Sequence, residues 1–239
     1  MPIFNTEVTE TINITENGQY DVARYTSANV NIPGAYGVLM EKLGSYIYPI
    51  APFIDLTDID SLYGPNLSYS YYNSQNLEEV DLKDLRYVGE DALKGVCWNC
   101  PFLTSVTGNS LEVIDNNGMI DAFKQCEELE TVDFPVLSDV RYMGLFEAFY
   151  GCTNLTSITF DSLETLGQHA LEKTFGYSGL TYLSFPVLNS LDGTSLDDML
   201  VGVNGCTVHF PAAIESMFQD WSYLEDGFGG TNTTILFDL

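Results

Sequence analysis

The chain has 239 residues, 45% of them apolar, and 34 acidic residues against eight basic ones, a formal net charge of −26. A field of that sign repels nucleic-acid phosphates and anionic lipid, which excludes phosphate-backbone binding and membrane-surface attachment. It favours solubility, divalent cations or basic partners. No stretch approaches the roughly 20 apolar residues that cross a bilayer, and residues 1–10, MPIFNTEVTE, carry neither the basic region nor the apolar run of an export signal, so the expectation is a protein that neither spans a membrane nor leaves by that route.

Residues 11–32, TINITENGQYDVARYTSANVNI, alternate polar and apolar positions around Asn17-Gly18. Asn-Gly favours φ > 0 at both positions, so this stretch reads as a tight type I′ hairpin. Ile12, Ile14, Tyr20, Val22, Val30 and Ile32 line one face. An isolated hairpin is marginal in water and is expected to pack on another subunit, a scaffold or the next segment. The phrases ITENGQYDV and YTSANVNI resemble short β modules near the ends of tail and other virion proteins of phages infecting Gram-positive hosts. That resemblance implies a docking or anchoring role for residues 1–35 towards other virion proteins.

Pro33-Gly34 punctuates the chain. Residues 36–75 read as a linker and an N-terminal cap. Within them, 36–46 (YGVLMEKLGSY) is expected to form one short helix, and 48–75, rich in Tyr, Ser, Asp and Pro, an irregular and partly stranded cover for the segment beginning at residue 76. Ser68 to Tyr72 admit two readings. They pack against that end, or they form a Tyr/Ser binding surface in which aromatic area comes at low entropy cost.

From Leu77 the chain repeats itself. Leu77, Leu103, Leu129, Leu155 and Leu180 open the segments LEEVDL, LTSVTG, LETVDF, LTSITF and LTYLSF, at steps of 26, 26, 26 and 25 residues. A degraded copy, CTVHFP, stands at 206–211. The second half repeats too: it opens at Leu85, Leu111, Leu137, Leu163 and Leu188, and the last four lead to the pairs Ala122-Phe123, Ala148-Phe149, Thr174-Phe175 and Met199-Leu200. A unit this small cannot bury its own apolar side, so neighbours must stack around a shared core. The fold expected is therefore a solenoid over 76–205 with a C-terminal cap at 206–239. Alternation in LETVDF sets Val132 and Phe134 inward and Glu130, Thr131 and Asp133 outward. Successive copies should pair as a parallel sheet, with short helices or turns elsewhere around each coil.

The five cysteines then have a place. Cys97 falls in the Phe123 column, while Cys100, Cys126 and Cys152 share another whose next rung is assigned to Tyr177. An odd count argues against a closed disulfide framework, and Cys97-x-x-Cys100 has neither a second CxxC nor a histidine at zinc spacing. They read as core thiols.

The pattern carried by LETVDFPVLSDVRYMGLFEAFYGCTNL (129–155) resembles the BspA-type leucine-rich repeats, and the resemblance covers roughly 76–211. Gly108 at a core position and Asp115–Gly118 in place of Ile-Gly depart from it. The resemblance implies a leucine-rich repeat solenoid of the α/β class, with short parallel strands and short helices or turns. It also implies a non-enzymatic surface for proteins or glycans, as found in bacterial surface proteins and in phage or prophage products.

The C-terminal run PAAIESMFQDWSYL places Ile214, Met217, Phe218, Trp221 and Leu224 at helical spacing, and ILFDL (235–239) reads as a last strand. The run from His209 through GFGGTNTTILFDL resembles the ends of phage-type or prophage-type repeat proteins.

No catalytic set is expected. His169 and His209 lack an evident Ser or Cys partner, and pairs such as Glu78-Glu79 and Asp197-Asp198 have the spacing of surface charge. Glu130 and Asp133 lie two repeats from Glu78, Glu79 and Asp81, roughly 10 Å at about 5 Å per strand, too far for one calcium ion. No cofactor and no metal ligands are assigned. The candidate ligand face is the outward strand column of Thr104, Ser105, Thr107, Thr156, Ser157, Thr159, Thr181, Tyr182 and Ser184. The expected role is a virion-surface protein of a phage or prophage, oligomerisation left open, that shows this face to a host glycan or protein; the alternative is a bacterial cell-surface adhesin.

Overall fold

The computed structural model describes residues 60–64, 67–218 and 228–239. Before them it gives the backbone of five strands: Thr11–Asn13, Ser27–Ile32, Tyr36–Leu43, Tyr46–Pro49 and Phe53–Asp55. From Phe53 onward the described residues form a stack of coils with three ladders of backbone hydrogen bonds, one for each segment of the repeat.

The first ladder is built from the alternating segments. Phe53–Asp55, Glu79–Asp81, Ser105–Thr107 and Thr131–Asp133 pair in parallel, with Val80, Val106 and Val132 in register. Ser157–Thr159, Tyr182–Ser184, Thr207–Phe210 and Thr234–Phe237 form a second group of four, in which Ile158, Leu183, Val208 and Ile235 share one register position. The two groups adjoin at Thr131–Asp133 and Ser157–Thr159. Period-two alternation explains the burial: the central residue of each strand faces the core, and those on either side face outward in most coils.

The second ladder consists of two-residue strands, Ser61–Leu62, Tyr87–Val88, Val113–Ile114, Asp139–Val140, Thr165–Leu166 and Ser190–Leu191, again all parallel. The third carries no strand. Along 89–99 the N–H groups alternate: those of Ala92, Lys94, Val96 and Trp98 donate three residues back, to Gly89, Asp91, Leu93 and Gly95. Those of Leu93, Gly95, Cys97 and Asn99 donate to Gly118, Ile120, Ala122 and Lys124 of the next coil. The N–H groups of the turn are thereby paired without a helix or a strand. Every fourth residue takes a positive φ: Asp91, Gly95 and Asn99, then Asn117, Asp121 and Gln125, then Met143, Glu147 and Gly151, then His169, Lys173 and Tyr177. Left-handed backbone at a non-glycine residue costs about 1–2 kcal/mol, which the hydrogen bonds between coils offset.

The core is a set of columns. Leucines 77, 103, 129 and 155 are wholly buried at the start of successive coils. Phe123, Phe149 and Phe175 stack with centroids 5.6 and 5.8 Å apart and planes within 8°. Phe160, Phe185 and Phe210 form a second stack at 5.5 and 5.2 Å. Pairs of this kind contribute about 0.5–1.5 kcal/mol each beyond the area they bury. Gly108, the departure in that second column, is filled from its neighbour: a methyl group there would meet the Phe134 ring at 2.9 Å.

Several expectations change. Residues 36–43 are a strand, not part of a helix. They pair antiparallel with Ser27–Ile32, Val30 opposite Val38, and with Tyr46–Pro49. Edges on both sides outweigh a weak local helical preference. The turn at Asn17-Gly18 lies outside the described residues; the strand before it, Thr11–Asn13, runs parallel to Ser27–Ile32. Around each coil the expected helices or turns are turns. At the far end a 3-10 helix covers Ala212–Phe218, with Ile214 and Phe218 buried and Met217 exposed. Trp221 and Leu224 lie outside the described residues. Phe218 closes the stack against Phe210, Phe228 and Phe237, at 5.1–6.4 Å.

Candidate functional site

The cysteine column is internal. Cys100, Cys126 and Cys152 are wholly buried, and each donates its thiol to a carbonyl one coil back, that of Tyr71, Cys97 and Phe123, at 3.1, 3.1 and 3.2 Å. The 29-residue offset is the same each time because the column is the same. Burial pushes the Cys97 and Cys126 thiols up and takes Cys152 to about 12. The next rung is Ser178, not Tyr177. The one-residue shortening of the coil falls after this turn, so Ser178 donates its N–H to Phe175 as Cys152 does to Phe149. Tyr177 occupies the positive-φ place of Gly151 and points to solvent.

The outward strand column divides into three. Thr104 is exposed, with Ser105 and Thr107 half-buried beside it on one coil. The next coil sets Thr131 and Asp133 in register with Ser105 and Thr107 and so interrupts the hydroxyl face with charge. Thr156, Ser157 and Thr159 are exposed beyond it, followed by Thr181 and Tyr182. The hydroxyls of Thr104 and Thr181 donate to the carbonyls of Glu78 and Thr156, both at 3.1 Å, and so also tie neighbouring coils. Ser184 is a correction: it is 3% exposed and is not part of the face. Its in-register neighbour His209 leans its ring to within 5.1 Å of the Tyr182 ring on that side.

His209 Nδ1 lies 2.8 Å from the Asp238 carboxylate. With Ser184 in register beside it, the residue types of a hydrolytic triad fall together. The buried serine is nonetheless out of reach of a substrate arriving from solvent. His169 Nδ1 is 2.8 Å from Glu172 and 4.0 Å from Asp197, and Tyr142 packs edge-on against its ring. These contacts hold the imidazole in the turn ladder.

Sequence reasoning missed a second surface, on the turn side. Tyr69 and Tyr72 meet Trp98 at 6.4 and 5.7 Å, the Lys124 ammonium stands on the next coil, and Tyr150 and Tyr177 continue the row at 5.3 Å from each other. The Tyr69, Tyr150 and Tyr177 rings each lie over a glycine of the following coil, Gly95, Gly176 and Gly202, where a side chain would collide with the ring. The signal was legible as an aromatic followed one period later by glycine. Lys124 is held between Asp121, at 3.0 Å, and Glu147. Its ammonium is 5.0 Å from the centroid of Trp98 and 5.3 Å from that of Tyr150. Burial alone would lower its pKa; the bonds to Glu147 and Asp121 outweigh it and hold the lysine charged. Of the Ser68–Tyr72 stretch, Ser70 and Tyr71 pack inward, while Tyr69 and Tyr72 stand exposed at the head of this row.

Among the described residues no helix is long and apolar enough to cross a membrane. A family model described as "BspA type Leucine rich repeat region" matches residues 67–190 in six copies, just over half of the chain. A solved structure, a leucine-rich repeat protein from Bacteroides ovatus ATCC 8483, is similar at 14% identity over 83% of this chain and 75% of that one, with a TM-score of 0.19. No curated protein matches.

Proposed function

The chain belongs to the BspA-type leucine-rich repeat family, and from that premise we propose that it is a non-enzymatic surface protein of a phage or prophage particle whose solenoid recognises a glycan or protein of the host surface. One observation carries the recognition role. The register of the parallel ladder places Thr156, Ser157 and Thr159 on one coil and Thr181 and Tyr182 on the next, exposed and spaced by a single coil. A rigid array of hydroxyls and a ring at about 5 Å repeat suits an extended ligand with a repeat of its own. The virion assignment rests on the likeness of residues 11–32 and 209–239 to the ends of phage proteins. A bacterial cell-surface adhesin is the second reading, favoured by the family match itself, because members of this family are often surface-associated.

Two measurements test this. Replacing Thr156, Thr159 and Tyr182 together with glutamate should abolish binding to host cells or host glycans; intact binding would mean that the strand face is the wrong surface. Mass spectrometry of purified particles should find the full-length chain, and a chain lacking residues 1–35 should not attach. A protein found on bacterial envelopes and absent from particles decides for the adhesin.

A further inference from the structure

The aromatic row on the turn side has chemistry of its own. At its centre the chain places one of its own cations: the Lys124 ammonium lies over the faces of Trp98 and Tyr150 and between the carboxylates of Asp121 and Glu147. An ammonium over an aromatic face is attracted by the ring quadrupole, and carboxylates beside it add to that attraction. Among the described residues the other contact of this kind is Lys173 over Phe146, at 5.9 Å. The rings at the two ends of the row, Tyr72 and Tyr177, are 47% and 54% exposed, and no cation of the described residues lies over them.

Charge sets what can lie there. The three lysines of this side, Lys94, Lys124 and Lys173, each pair with an acid of it, Asp91, Asp121 or Glu172. Glu127 and Glu128, three and four residues after Lys124, are exposed, on a chain whose net charge is −26. A phosphorylated or sulfated ligand is repelled by that field; a basic one is drawn to it.

We propose that this row is a docking surface for a lysine- or arginine-rich protein segment lying extended along the stack, its cations over Tyr72 and Tyr177 as Lys124 lies over Trp98 and Tyr150. The surface is separate from the strand face and does not depend on the particle assignment.

A fluorescein-labelled octalysine peptide, titrated against the full chain and followed by anisotropy, tests it. Since many acidic proteins attract such a peptide, the deciding variants leave charge unchanged. Tyr72→Ala and Tyr177→Ala, with melting temperatures confirmed, should each weaken binding roughly five-fold, and Tyr177→Phe should restore it, because a cation over an exposed ring contributes on the order of a five-fold gain in affinity. Tyr142→Ala, which removes an exposed ring elsewhere on the turn side, should change nothing. Equal affinity of every variant would reduce the attraction to diffuse charge and overturn the proposal. Binding of a neutral cello-oligosaccharide that competes the peptide off, with the same loss in the tyrosine variants, would overturn it in favour of a sugar platform.

Discussion

At the scale of single residues the solenoid is unforgiving where coils touch. Gly179 follows the point where the repeat shortens to 25 residues, and its backbone is drawn against the previous coil, so that a Cβ would fall on the Thr153 carbonyl oxygen. Gly205 has a positive φ of 80° and open space around it. Both are glycines for different reasons, and the consequences separate. Gly179→Ala must move backbone and should cost about 1–3 kcal/mol, whereas Gly205→Ala meets only the left-handed penalty of about 1–2 kcal/mol. Chemical denaturation of the two variants, compared at one temperature, checks this. Gly179→Ala being the milder change would mean that the shortened coil is not tight there. The glycine was visible in the sequence, but its reason was not, because it depends on an atom of the preceding coil.

Single elements here are barely elements. A strand of two or three residues has no stability alone; it exists because the same strand lies above and below it. The turn segment shows this most plainly, since half of its N–H groups find their acceptors only in the next coil. Local devices set where it begins. The Asp192 carboxylate accepts hydrogen bonds from the Thr194 N–H at 3.0 Å and from the Thr194 hydroxyl at 2.9 Å. Those bonds hold its pKa below the usual carboxylate value. A depressed folded-state pKa means that the stabilisation is present above the unfolded-state pKa and lost as pH falls through the folded one. Asp192→Ala should therefore lower the melting temperature at pH 7 and leave it nearly unchanged once acid has protonated Asp192 in the parent. A deficit that persists at low pH would assign the effect to packing. The helix expected at 36–46 failed for the complementary reason: its apolar spacing suits either period over so short a run, and pairing with two neighbouring strands decided between them.

As a whole molecule the solenoid is one-dimensional. Each coil touches the coils beside it, so stability is approximately a sum over coils and the contacts between them. Removing residues 129–154 would join Glu128 to Leu155, the position equivalent to Leu129, and bring Phe123 against Phe175 in the stack that Phe149 now bridges. The shortened chain should still fold cooperatively, with an unfolding enthalpy reduced roughly in proportion to its length. Calorimetry reads the result directly. A chain that loses all cooperative unfolding on this deletion would show that the coils are not interchangeable.

The repeat, its period, the inward leucines, the buried thiols and the acidic surface were determined by the sequence, because each follows from side-chain type recurring at a fixed spacing. The position of Ser178 on the thiol ladder, the loss of Ser184 from the outer face and the union of Tyr72, Trp98, Lys124, Tyr150 and Tyr177 in one row were decided only by the tertiary structure. Each depends on which atoms of separate coils come within a few ångströms of one another, and a one-residue change in coil length or the lean of one imidazole is enough to alter that without disturbing the pattern along the chain.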